Sequence, residues 1–96
     1  MINIIIVSDK AAIEIKNAVT WYNEKSPGLS KRFIEELDYS FYRIKQMSSA
    51  YKMVDRNIQR CLMKIFPYII FFSVINGEIV ILRIRHKKQK QLKRYK

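Results

Sequence analysis

The dipeptide Asn76-Gly77, set between the apolar runs 68–75 and 78–85, constrains this chain more than any other feature. Both central residues of a tight two-residue hairpin turn take positive φ, which glycine adopts freely and asparagine tolerates better than most residues. The flanking runs are rich in Ile, Val and Phe, which suit a pleated, half-buried surface. An antiparallel hairpin is expected, with Ile75 opposite Glu78 and the pairing continuing outward from there. In that register one face carries Ile69, Phe71, Ser73, Val80, Leu82 and Ile84, and the other carries Tyr68, Ile70, Phe72, Val74, Ile79, Ile81, Arg83 and Arg85. Burying unpaired arginines is costly, so the first, uncharged face is expected to lie on the core. The second face then becomes an apolar floor edged by Arg83, Arg85 and Tyr68, which suggests a groove for a partner.

Upstream, the pattern is helical. Ser8 or Asp9 can cap a helix whose apolar positions Ala11, Ile15, Ala18 and Tyr22 share one face, with Val19 widening the stripe. That helix ends near Lys25. Ser26-Pro27-Gly28 breaks the chain, with Ser26 placed to cap a second helix and Pro27 suited to its first turn. Phe33, Leu37, Ser40, Phe41 and Ile44 form its inward stripe, while Lys31 and Glu35, and Arg32 and Glu36, stand one turn apart outside. So short a connection makes the two helices an antiparallel hairpin. A loop is expected over 51–58, then a strand over 60–66 that Pro67 ends or bulges. The opening Met1-Ile2-Asn3-Ile4-Ile5-Ile6-Val7 reads as a strand, with neither the basic start nor the cleavage site of a signal peptide.

These elements make one α+β domain over 1–96: an N-terminal strand, an antiparallel helix hairpin, and a three-stranded antiparallel meander packed on the helices. The chain is too short for a second core, and 49% hydrophobic residues describe a packed globule. The nearly apolar stretch 65–75 is broken by Pro67 and is far short of the roughly 20 residues that span a bilayer, so no membrane role is expected. Cys61 is the single cysteine, which excludes an internal disulfide and agrees with the cytoplasm; it is read as a small buried side chain. With no carboxylate cluster, Gly-rich loop or histidine pair, neither a cofactor nor a metal is expected.

Charge is the second informative feature. The net charge is +11, and Arg83, Arg85, Lys87, Lys88, Lys90, Lys93, Arg94 and Lys96 supply eight positive charges with no acid among them, leaving +3 for residues 1–82. A basic tail is therefore expected over about 86–96, and an anionic partner at that end: nucleic acid, ribosome or an acidic protein.

The ordered set of segments resembles the RelE/ParE superfamily of toxins from type II toxin-antitoxin (plasmid stabilization) systems, the ParE-like members more than the RelE-like. The helix phrase from Ala12 to Tyr22, the turn Ser26-Pro27-Gly28-Leu29, and Arg32-Phe33 with Leu37 resemble the family's helix hairpin. Arg60, then Phe66-Pro67-Tyr68-Ile69-Ile70-Phe71-Phe72, then Ile79-Val80-Ile81-Leu82-Arg83-Ile84-Arg85-His86 resemble its three sheet strands. The resemblance implies a cognate antitoxin protein that covers the groove in a hetero-oligomer. It implies one of two actions: ParE-like members bind and poison DNA gyrase, and RelE-like members are metal-independent endoribonucleases that cut mRNA on the ribosome.

RNA cleavage needs a proton acceptor, a proton donor and positive charge at the developing phosphorane. His86, Arg60 and Tyr68 are the catalytic candidates, and Arg60, Tyr68, Phe72, Arg83, Arg85, His86, Lys87 and Lys88 are expected to meet the target, nucleic acid or antitoxin. The nuclease members of the family it resembles typically follow the Phe-Pro-Tyr tyrosine with arginine, where this chain has Ile69, and many ParE-like relatives end in His-x-x-Arg-x-Pro, where this chain has Gln89 and Gln91. The first difference turns the reading toward binding rather than catalysis. A non-toxic, basic nucleic-acid-binding module is the third possibility.

Overall fold

The computed structural model describes residues 4–88. Strand β1 (Ile4–Val7) leads into helix α1 (Asp9–Lys25), followed by α2 (Leu29–Met47) and a 3-10 turn (Ser48–Ala50). Strands β2 (Met53–Asp55), β3 (Ile58–Leu62), β4 (Tyr68–Ile75) and β5 (Glu78–His86) complete the sheet, in the spatial order β1-β5-β4-β3-β2. The expected α+β order is present, with two differences. The sheet is mixed, because β1 runs parallel to β5, pairing Ile4 with Glu78 and Val7 with Ile81. It also gains β2 inside the segment expected as a loop, paired antiparallel to β3 across a tight turn in which Asn57 has φ 59°.

The helices form for the expected reasons. Ser8 caps α1 with its hydroxyl oxygen, which accepts the Ala11 N–H at 3.1 Å. Ala11, Ala18 and Tyr22 are buried along its inner stripe. At the break, Ser26 closes α1 through its N–H to the Tyr22 carbonyl, so it does not cap the second helix. Gly28 stands at the start of α2 instead, at φ 87°, a conformation that a side chain would strain. Phe33, Leu37, Ser40 and Ile44 are the buried stripe of α2. Among the described residues no helix is long and apolar enough to cross a membrane.

The hairpin turn forms as expected, with Asn76 at φ 50° and Gly77 at φ 77°. Pairing then follows the expected register from Ile75–Glu78 as far as Phe72–Ile81. There it slips, because Phe71 pairs with Arg83 and leaves Leu82 as an extra residue, a β-bulge. The bulge overturns the expected facing of the sheet. Ile70, Phe72, Ile79 and Ile81, placed above on the outer floor, are fully buried with α1 and α2, and Ile84 joins them because the slip returns it to their side. Parity had tied Ile79 and Ile81 to Arg83 and Arg85; one inserted residue separates them, so the core takes the isoleucines without the arginines.

Ile69 and Phe71 instead belong to a second apolar cluster with Ile58, packed by Val54 and Leu82. Two helix carboxylates fasten the layers together. Glu14 of α1 accepts the Ile84 N–H at 2.7 Å, and Glu36 of α2 accepts from Lys64, from Ile65 at 3.0 Å and from Phe66 at 3.1 Å. Glu36 thus serves the β3–β4 loop, and among the described residues the ion pairs are those of Glu14 rather than the expected pairs along α2.

Candidate functional site: a cleft beside the last strand

The far ends of β4 and β5 meet α1 at a cleft of about 350 Å³ lined by Glu14, Asn17, Ala18, Trp21, Tyr68, Ile84 and His86. Cross-strand pairing sets Tyr68 opposite His86, and their rings meet edge to face at 5.1 Å. The Lys88 N–H donates to His86 Nδ1 at 2.9 Å, which in the neutral ring assigns the proton to Nε2. Lys87 N–H donates to the Pro67 carbonyl at 2.8 Å, so the chain leaving β5 stays beside the start of β4. Behind Tyr68 lies an aromatic cluster, with Tyr68 at 5.3 Å from Phe33 and Tyr22 at 4.9 Å from Phe66. Burial, reinforced by the neighbouring Tyr22 hydroxyl, pushes the Tyr68 phenol up to about 12. It stays protonated at neutral pH and can donate a proton but cannot act there as a base.

Glu14 dominates the electrostatics. One of its oxygens accepts from Arg83 Nε at 3.1 Å and Nη2 at 2.7 Å, and from Arg85 Nη1 at 3.4 Å. The Arg83 and Arg85 side chains are each 21% exposed, so both expected anion-binding arginines already hold a partner in a half-sheltered place.

The structure divides the expected site. Tyr68 and His86 come together, with Lys87 and Lys88 exposed at the strand end beside them. Arg83 and Arg85 converge on Glu14. Phe72 is fully buried under the helices and cannot meet a partner, which the bulge explains. Arg60 pairs with Phe71 two strands from β5 and shares the side of Ile58 and Phe71, opposite the side on which Tyr68 packs. Gln89, Gln91 and the basic residues from Lys90 onward lie outside the described residues. Cys61 is buried and free as expected, and burial raises its thiol. Among the described residues no three of His, Cys, Asp and Glu gather at a spacing that could share a metal ion.

Sequence reasoning missed Glu14, Asn17 and Trp21. Glu14 carries a legible signal: it stands three residues after Ala11 and four before Ala18, on the stripe meant for the core. A carboxylate there calls for a cation, and the unpaired arginines of the last strand are the natural source.

Three comparisons bear on this arrangement. The family model described as the ParE toxin of type II toxin-antitoxin system, parDE, matches residues 5–91. Among solved structures the chain is similar to one described as a chromosomal ParDE TA system from P. aeruginosa, with TM-score 0.76 and 17% sequence identity over 86% of this chain and 94% of that chain, a likeness of fold. No curated protein matches the sequence.

Proposed function

This chain belongs to the ParE toxin family of type II toxin-antitoxin systems, and from that premise we propose that it stops growth in the cytoplasm by binding DNA gyrase and is neutralised by a cognate antitoxin protein. The observation that carries binding over catalysis is the dispersal of the catalytic candidates. Arg60 lies on the opposite side of the sheet from Tyr68, Arg83 and Arg85 are engaged by Glu14, and the Tyr68 phenol is pushed up to about 12. A site for RNA cleavage needs its base, acid and cation around one phosphate.

The RelE-like nuclease remains the second reading because Tyr68 and His86 are in ring contact at 5.1 Å. Arg83 or a lysine at the strand end would have to supply its positive charge. The likeness of fold to a ParDE system favours an antitoxin as partner. Expression of the chain alone, with and without the short gene adjacent to its own, tests the toxin reading. Arrest of growth relieved by the neighbour supports it, and unimpaired growth removes it.

A further inference from the structure

The five-stranded sheet ends differently on its two sides. At one edge β2 is short, has an irregular register and holds Asp55, with Lys52 and Arg56 on either side. Charges and irregularities of this kind keep an edge from pairing with another strand. At the other edge β1 reads Ile4-Ile5-Ile6-Val7, with no charge and no proline, and among the described residues no strand lies outside it. Ile4 is 51% exposed, Ile6 42% and Val7 37%.

The peptide groups of β1 point two ways. The Ser8 N–H donates to the Ile81 carbonyl at 3.0 Å, so Ser8 and, two residues back, Ile6 turn their peptide groups toward β5. Ile5 and Val7 therefore turn their N–H and carbonyl groups outward. The side chains alternate as well. Ile5 packs against the helix-covered core, which puts Ile4 and Ile6 on the opposite face of the sheet.

We propose that two copies of this chain join through β1, antiparallel about a two-fold axis that passes beside Ile6, into one continuous sheet. A strand paired with its own copy about a two-fold is antiparallel, and the same patch serves both copies. In this register Ile5 of each copy exchanges both backbone hydrogen bonds with Val7 of the other, so every outward peptide group of Ile5 and Val7 has a partner. Ile6 faces its own copy as the closer, non-hydrogen-bonded pair, where two exposed isoleucines cover each other.

Charge placement lets two chains of +11 meet this way. Arg83, Arg85, Lys87 and Lys88 all lie past Ile81, the residue level with Val7. The antiparallel direction sends the two basic ends to opposite corners. The two copies of β5 stand three strand spacings apart, about 14 Å, and Arg83 lies roughly 10 Å along its strand from the level of Ile6. The guanidinium groups of the two copies are then about 20 Å apart, some two Debye lengths at 0.1 M salt. Pairing β1 of one copy with β2 of the next builds an open filament instead, against the charges that blunt β2.

So short an edge is far smaller than the ~800 Å² per partner of a standard interface, so the dimer is weak, with a dissociation constant on the order of 0.1 mM. Sedimentation velocity of the full chain across that concentration reads it. Val7→Pro removes an N–H that the dimer uses and the monomer does not, and Ile6→Lys sets two ammonium groups face to face. Each is expected to weaken association at least about tenfold. Leu62→Lys makes the same chemical change at a residue 43% exposed and three strands away. It is expected to shift association by less than about twofold.

Cysteine pairing reads the register. The Cα atoms of a non-hydrogen-bonded pair are about 4.5 Å apart, within disulfide reach, whereas the two copies of Ile4 are offset by about 13 Å along the strands. Oxidised glutathione is expected to link Ile6→Cys into dimers and to leave Ile4→Cys monomeric, as it leaves the parent chain with its buried Cys61.

A chain that stays monomeric at about ten times the expected dissociation constant leaves the edge to some other protein's strand and overturns the proposal. Equal dimerisation of Ile6→Lys and the parent, or Ile4→Cys linking as readily as Ile6→Cys, does the same. So does association that dissolves as salt rises, the mark of nucleic acid bridging the basic ends, because phosphate contacts weaken with salt and a screened apolar edge does not. If Val7→Pro does not fold, Ile6→Lys and the cysteine pair carry the test. The toxin reading needs no second copy and stands or falls separately.

Discussion

Glu14 and Arg83 are 69 positions apart in the chain, yet Arg83 Nη2 lies 2.7 Å from the Glu14 carboxylate. That contact joins the first helix to the last strand. Removing the acid leaves two half-sheltered guanidinium groups and the Ile84 N–H without their acceptor, whereas removing Arg83 leaves Glu14 two other donors. Glu14→Ala is therefore expected to lower unfolding stability by about 1–3 kcal/mol and Arg83→Ala by about 1 kcal/mol or less. Urea denaturation of the two variants checks the order, and a larger loss at Arg83 would show that Glu14 is not the hub.

The bulge at Leu82 makes neighbouring residues unequal. Ile81 is fully buried under the helices and Leu82 is half-buried on the other side of the sheet. Ile81→Ala should cost about 2–5 kcal/mol, and Leu82→Ala less than half as much. Thermal or urea unfolding decides between this sidedness and the straight register, in which Leu82 would be the costlier loss.

How far the fold was legible in the sequence is clearest along this strand. Asn76-Gly77 announces its turn because positive φ is a chemical demand, and the stripes of α1 and α2 announce theirs through spacing. The bulge leaves no such mark. Leu82-Arg83-Ile84 alternates whether or not a residue is inserted, so the sequence could be read through the slip, which placed Phe72 on a binding face and Ile79 and Ile81 outside. The direction of β1 was hidden for a related reason, since a run of Ile and Val pairs equally well either way. Tyr68 and His86 were both named as site candidates, but the straight register set Tyr68 opposite Arg85, and only the bulge brings it opposite His86. Glu14 was passed over because its partners lie at the other end of the chain.

Glu36 should hold the β3–β4 loop. Its carboxylate accepts three consecutive backbone N–H groups, from Lys64, Ile65 and Phe66. Glu36→Ala is expected to speed hydrogen exchange at Ile65 and Phe66 by about tenfold or more while lowering global stability by about 1–2 kcal/mol. Unchanged protection of those two amides would mean that the loop is held by other contacts.

Tyr68 gives a pH signature. Its phenol is pushed from 10.0 up to about 12 by burial and by Tyr22, so the folded chain holds that proton more tightly than the unfolded chain does. The group's contribution to pH dependence is flat below pH 10; stability then falls as pH rises from about 10 through about 12, where the unfolded state loses the proton first. In Tyr68→Phe that part of the alkaline loss should disappear. Alkaline unfolding that is identical in the variant and the parent would place the sensitivity on other groups.

This toxin-family chain is proposed to act by binding gyrase and not by cutting RNA. The most direct measurement adds the purified protein to DNA gyrase in a supercoiling assay and, in parallel, to ribosomes programmed with mRNA. Blocked supercoiling with intact message is expected, with relief of the block when the antitoxin is added. Cleaved message with fully active gyrase would contradict it and would make Tyr68 and His86 the centre of a nuclease.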